Sequence, residues 1–218
     1  MNIAAVTFSN MFIVSSFTLN YNSEKEITHI ISAEKVNCPL CDGNLTYRNS
    51  KPRGRIDIAG IKSFFLLRRF TCSQCQRLHT EIPDFLQPFK HYDSHAIQSV
   101  LDNTEDAAIC AADDSTMRRW RKTFREAAPD IGQRLNSLYA QTSDELVPIS
   151  AGVRILAQIR AEQRHWLVFV MALLINQGHV LCTRFAFCPF PYSGKVSAKD
   201  KIMVRGDSKS DKTFENSS

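Results

Sequence analysis

The chain has no hydrophobic run long enough to cross a bilayer. The longest, Trp166 to Ile175 (WLVFVMALLI), has ten residues, about half of the ~20 that a spanning helix needs. The first twenty residues are mildly apolar but carry no basic leading region, so they match a secretory signal poorly. A phosphate-cradling G-x-x-x-x-G-K-[ST] loop is absent: Lys51-Pro52-Arg53-Gly54 does not fit it. No internal repeat occurs. After Pro129 only Asp130, Asp144, Glu145 and Glu162 precede the polar end of the chain. That region reads as helical, with no strand series to mount three carboxylates around two metal ions for phosphoryl transfer. These absences argue against a membrane protein, a nucleotide hydrolase and an acidic-triad nuclease, and lead us to expect a cytoplasmic, non-enzymatic protein.

What the chain does have is cysteine in a pattern. There are seven, an odd number, which argues for a reducing compartment and for metal rather than disulfide use. Cys38-Pro39-Leu40-Cys41 and Cys72-Ser73-Gln74-Cys75 form two C-x-x-C pairs. Each such turn presents two thiolates to one ion, and two turns make a closed tetrahedral site. The expected ligands are Cys38, Cys41, Cys72 and Cys75, around one structural Zn2+. A disulfide pair and four unrelated buried cysteines are the alternatives. The spacer is longer than the commonest form. Cys110, Cys182 and Cys188 read as small buried apolar residues, and His179, Cys182 and Cys188 have no recognised metal spacing. His79 follows the last ligand by four residues; with four cysteines already present, a surface or packing role is expected for it.

Between the two pairs, Asn44–Arg48 and Arg55–Ile58 read as strands around a Lys51–Gly54 turn. After a break at Ala59-Gly60, Ile61–Thr71 is an apolar, aromatic strand. Phe8 with Met11–Val14, as a strand or strand pair, and the Ile-Thr-His-Ile-Ile stretch before the first pair are further strand candidates. Residues 81–92 hold two prolines among Phe85, Phe89 and Tyr92, an ordered connector. Asp93-Ser94 is an N-cap for a helix ending at Asp102-Asn103. Thr104 is the expected cap of a second, over Glu105–Ala112, and Ser115 of a third, over Thr116–Ala127. Ala107 and Ala111 would let the second helix approach Met117, Trp120 and Phe124 of the third, as in a helix-turn-helix.

The third helix is basic, and net charge is +5. In such a reading helix, N-terminal residues reach base edges while outer cations hold phosphates. Ser115, Thr116, Arg118 and Arg119 are the base-edge candidates, and Arg121, Lys122 and Arg125 the phosphate candidates. Arg53 and Arg55 flank a glycine on an expected hairpin tip, suited to a phosphate backbone or a minor groove. A solvated basic face is the plain alternative in both places. Further on, Ile131–Ala140 reads as a helix, Ser143–Ile149 as a link, and 150–176 as one long helix or a pair whose apolar end needs a cover. Cys182–Phe190 reads as an extended segment, and 195–218 as a disordered tail.

The segments CPLCDGNL, CSQCQRLHTEIPDFLQPFKHY and DDSTMRRWRKTF resemble the DNA-binding region of bacterial transposase-like proteins. They are similar in particular to a small uncharacterised, mobile-element-associated family with a zinc ribbon followed by a helix-turn-helix. The resemblance covers about residues 30–130. The metal positions carry over to Cys38, Cys41, Cys72 and Cys75, and the Ser-Thr-x-x-Arg-Trp portion to Ser115, Thr116, Arg119 and Trp120. It implies DNA binding. The expected fold is α+β: an N-terminal segment (1–35), a small antiparallel zinc ribbon with connector (36–92), a helix-turn-helix (93–130), a helical region (131–194) and the tail (195–218). The expected function is zinc-dependent, sequence-specific binding of double-stranded DNA, by a transposase-derived accessory factor or a regulator, with a homodimer through the C-terminal helices. The alternatives are a protein- or RNA-interaction module and a short transposase or recombinase subunit.

Overall fold

A computed structural model of the protein describes residues 11–142 and 152–178. Phe8, the 143–149 link, the 182–190 segment, His179 and the tail lie outside the described residues.

Six strands make one curled sheet: β1 (Met11–Val14), β2 (Phe17–Asn22), β3 (Ile27–Ser32), β4 (Leu45–Ile56), β5 (Lys62–Cys72) and β6 (Leu78–Pro83). The long strand β5 organises it. One edge of β5 pairs with β4 along its whole length. The other edge pairs in parallel with β3 at Thr28–Phe65 and His29–Leu66, and antiparallel with β6 at Arg69–Thr80. β1 then lies parallel to β6, and β2 antiparallel to β3. The N-terminal strands and the ribbon strands therefore share one sheet.

Side chains alternate across a strand, and here the two faces differ. Met11, Ile13, Ile30, Phe65, Leu67 and Ile82 lie on one face and join the helices in the hydrophobic core. On the other face of β5 stand Phe64, Leu66, Arg68 and Phe70, half-buried or exposed. We call this the open face.

The expected Lys51–Gly54 turn is instead the middle of β4, with Pro52 opposite Leu66 and Gly54 opposite Phe64. Among the described strands β4 pairs only with β5, and an edge strand tolerates a proline that cannot donate to a ladder. The true turn is Asp57–Ile61. There the Asp57 carboxylate accepts from the Ile61 amide at 2.9 Å, and Ile61 O accepts from Asp57 N.

Helix α1 (Ser94–Asp102) begins as its sequence predicts: the Asp93 carboxylate accepts from the Ala96 amide at 2.8 Å. It ends at Asn103 in the left-handed conformation. The expected helix over 105–112 is a single 3-10 turn, Glu105–Ile109. The cause is long-range. The Ala111 amide donates to Ile58 O at 2.9 Å, in the β4–β5 turn, rather than back into a helix. The helix packed on α2 is thus α1.

Helix α2 (Asp114–Thr142) runs without a break through Pro129 and takes in the separate helix expected at 131–140. A proline inside a helix costs about 3 kcal/mol. Here the buried stripe Trp120, Phe124, Ala127, Ile131 and Leu135 continues past it, and burial of about 1.5–3 kcal/mol per large side chain outweighs the loss. Residues 152–176 form a pair, α3 (Gly152–Glu162) and α4 (Trp166–Asn176). Both turn on Asp102 at the end of α1: its two carboxylate oxygens accept from Arg160 Nη2 at 2.6 Å and Trp166 Nε1 at 2.7 Å. The apolar α4 is covered within the chain. It lies against β1, and the Asn176 side chain exchanges two hydrogen bonds with the Ile13 backbone. No helix among the described residues is long and apolar enough to cross a membrane.

Candidate metal centre and basic helix

The two knuckles are built alike. Asp42 N donates to Cys38 O and Cys38 N to Gly43 O; Gln76 N donates to Cys72 O and Cys72 N to Arg77 O. The residue after each second cysteine, Asp42 or Gln76, takes a positive φ of 59° or 57°. This bend returns the chain and leaves both thiols of a pair on the inside of the turn. Ser73 N bonds Asn44 O, tying one knuckle to the other. Gly43 makes their approach feasible, since a Cβ there would stand 2.9 Å from Cys72 Sγ.

The sulfur atoms of Cys38, Cys41, Cys72 and Cys75 all lie within 4.8 Å of one another. Cys38 and Cys75 are 3.7 Å apart, and Cys41 and Cys72 are 3.5 Å apart. A disulfide would need about 2.05 Å. A tetrahedron with metal–sulfur bonds of about 2.3 Å has edges of about 3.8 Å, close to the observed separations. The four cysteines are therefore free thiols placed to hold one metal ion. Such an ion has no open position for substrate, so what it supplies is a cross-link between the knuckles.

As free thiols the four are unequal. Burial pushes Cys38 up to about 12. Burial also opposes ionisation at Cys72, but the amides of Cys75 and Gln74 and the neighbouring Cys41 and Cys75 thiols outweigh it and bring Cys72 to about 7. His79 is fully buried rather than on the surface, with Nε2 3.3 Å from Cys38 Sγ. Burial, and then the Arg77 charge, lowers its pKa, which favours a neutral ring beside the sulfurs. Nothing in the spacing of His79 foretold this contact. It arises because β6 brings His79 opposite Phe70 of β5. Cys110 is partly buried against the core.

The basic residues divide into two groups. Arg53 and Arg55 are not on a free tip. They point to the helix side of β4, where Arg53 Nη2 donates to Gln87 O at 2.9 Å and Lys90 O at 2.6 Å. Arg55 Nε lies 3.2 Å from the Asp93 carboxylate, with its guanidinium over Phe65 and Phe85. Arg121 likewise faces inward: Nε donates to Val100 O at 3.0 Å and Nη2 to Asn103 Oδ1, closing the C-terminus of α1.

Arg118, Arg119, Lys122 and Arg125 are exposed on α2. Among the described residues the carboxylate paired with them is Glu126, 3.9 Å from Lys122. At the start of α2, Asp113 rather than Ser115 is the cap. It accepts from the Thr116 amide at 2.8 Å and from both the Ser115 and Thr116 hydroxyls. Those bonds, the Ser115 hydroxyl first, hold the Asp113 carboxyl at about 2. Arg119 Nη2 donates to Thr116 Oγ1 at 3.2 Å, and Arg118 Nε to Asp114 O. Lys90 belongs to the same surface: burial, then the nearby Arg119 charge, lowers its pKa.

Residues 38–120 match the family described as Domain of unknown function (DUF6431). No curated protein and no solved structure matches the chain. The matched span opens at the first ligand, Cys38, and closes at Trp120, so it takes in both knuckles, α1 and the first turns of α2.

Proposed function

We propose that this is a zinc-stabilised, sequence-specific reader of double-stranded DNA, a transcriptional regulator or a transposase-derived accessory factor of the cytoplasm. The observation that carries the reading is the exposed row of Arg118, Arg119, Lys122 and Arg125 on α2, with Lys90 beside it and one carboxylate against it. Like charges gathered on a surface repel, and a phosphate backbone relieves that repulsion. We read α1, the 3-10 turn and α2 as a helix-turn-helix in which the turn replaces a full middle helix. Ser115, Thr116, Arg118 and Arg119 at the start of α2 then face base edges, and Lys122 and Arg125 hold phosphates. Four thiolates at tetrahedral separations favour Zn2+, which has no geometric preference of its own and takes sulfur ligands readily. The ion fixes one end of β5, and with it the sheet on which α1 and α2 rest. Two copies, joined through their C-terminal helices, would read two half-sites.

Selection of duplexes from a random library with zinc-loaded protein tests this. One enriched motif, lost on chelation and in Arg119→Ala, supports the reading, and a two-fold repeat in the motif supports the dimer. Equal affinity for all duplexes at every salt concentration would sink it.

A further inference from the structure

We propose a second nucleic-acid site, on the open face of the sheet: single-stranded nucleic acid, with bases stacked on Tyr47 and Phe64 and its phosphates held by Arg48 and Lys62. The site shares no residue with the exposed row of α2 and does not rest on the duplex reading.

Tyr47 and Phe64 are 60% and 53% exposed, although aromatic side chains normally bury their large apolar area. Both lie on the face that the helices leave uncovered, Tyr47 opposite Phe70 and Phe64 opposite Gly54. Each ring is already held in place. Phe64 lies against Gly54 of β4, where even an added Cβ would make ordinary contact with its Cε1 at 3.5 Å, and its outer side faces solvent. Tyr47 meets Phe70 edge-on at 6.0 Å, and its hydroxyl is 3.0 Å from Ser50 Oγ. Fixed aromatic platforms lose little entropy when a base stacks on them. Phe64 and the Tyr47 partner Phe70 are six residues apart on β5. At about 3.3 Å per residue the platforms stand roughly 20 Å apart, a span of a few nucleotides.

Charge complements the aromatics. Arg48 is exposed on β4, and Lys62 is exposed at the start of β5 on the same face as Phe64; neither forms an ion pair among the described residues. The carboxylate under this face, Glu81, is 2% exposed and already bound by Arg68 through two 2.7 Å hydrogen bonds. The Arg68 guanidinium carbon in turn lies 5.3 Å from the Phe70 ring centroid. Glu34, the other carboxylate beside Phe70, accepts from the Ser15 and Ser16 amides, so among the described residues the phosphates meet Arg48 and Lys62 and no unpartnered carboxylate on this face. The strand must be single, because a duplex hides the faces of its bases and only an unpaired base can stack on a side chain.

Fluorescence anisotropy of labelled oligothymidine and of a labelled duplex tests this on the zinc-loaded full chain. Phe64→Leu still covers Gly54 but removes the stacking surface, and should weaken oligothymidine binding about tenfold, as should Tyr47→Leu. Lys62→Ala, on the same face as Phe64, should weaken it and flatten its salt dependence without altering melting or zinc content. Arg119→Ala should leave oligothymidine binding intact. Three results would overturn the proposal: no single-strand binding by the full chain, single-strand affinity unchanged in folded Phe64→Leu and in Lys62→Ala, or equal losses for duplex and single strand.

Discussion

The side-chain amide of Asn176 satisfies both backbone groups of Ile13, accepting from its N–H at 2.8 Å and donating to its C=O at 2.9 Å, across 163 residues of sequence. The amide takes the place of a neighbouring strand on the outer edge of β1. Asn176→Asp keeps the acceptor and loses the donor, and Asn176→Ala loses both. Because Ile13 is 2% exposed, its stranded groups should cost about 1–3 kcal/mol. Urea unfolding should place Asn176→Ala below Asn176→Asp, and both below the parent.

The metal site predicts one zinc per chain, measurable by elemental analysis. Cys38→Ser or Cys72→Ser should lose it. Gly43→Ala should weaken it with every ligand intact, since its methyl would meet Cys72 Sγ. Cys72 ends β5, while Phe65 and Leu67 of the same strand lie in the core. Chelation should therefore lower the melting temperature of the whole protein rather than melt an isolated module. Binding energies for structural zinc of about 10–16 kcal/mol exceed most domain stabilities.

Arg121 and Arg119 are two residues apart and should behave oppositely. Arg121→Ala leaves the end of α1 uncapped and should cost about 1.5–3 kcal/mol, the range for a hydrogen bond from a charged group. Arg119→Ala should leave thermal melting nearly unchanged and reduce duplex affinity. Melting curves and anisotropy on the two variants separate the roles.

Asp102 should prove a strong point of the helical half. Its carboxylate serves both Arg160 and Trp166, and Trp166 is 1% exposed. Asp102→Ala strands the indole N–H and should cost about 3 kcal/mol. The emission of Trp166 should report the change directly.

Asp84 gives a pH test. Burial raises its pKa and the Glu34 charge adds to this, against the opposing Ser15 hydroxyl. A carboxyl raised on folding destabilises wherever it is ionised, fully so above its folded pKa and not at all below its unfolded value near 3.9. Asp84→Asn should therefore stabilise at pH 7, with the gain shrinking as pH falls toward 4. Melting of parent and variant side by side from pH 7 to 4 reads the difference.

Local chemistry was legible in the sequence and long-range pairing was not. The C-x-x-C turns, the Asp93 cap and the Asn103 stop depend on neighbours within a few residues, and all appear as their spacing implies; Pro129 reads locally as a helix end, yet α2 runs through it and joins Trp120 and Phe124 to Ile131 and Leu135 in one buried stripe. Lys51–Gly54 looked like a turn because proline and glycine usually make one; its place in β4 is decided by partners on β5. The helix expected over 105–112 stops short because of an acceptor on Ile58, about fifty residues earlier. Arg53, Arg55 and Arg121 looked like free cations because nothing local reveals their distant acceptors. The inward turn of His79 depends likewise on strand register.

The strand at the start of the described chain, β1, is sealed by a helix at its end, and this sets an order of events during synthesis. β1 can find β6 once Pro83 has left the ribosome, but Asn176 follows 93 residues later (176 minus 83). At about 5–20 residues per second, the outer edge of β1 stays unpaired for roughly 5–20 seconds on every nascent chain. An open strand edge recruits other strands. The chain is thus most exposed to mispairing with its polysome neighbours in that interval, and slower translation between residues 83 and 176 would lengthen it.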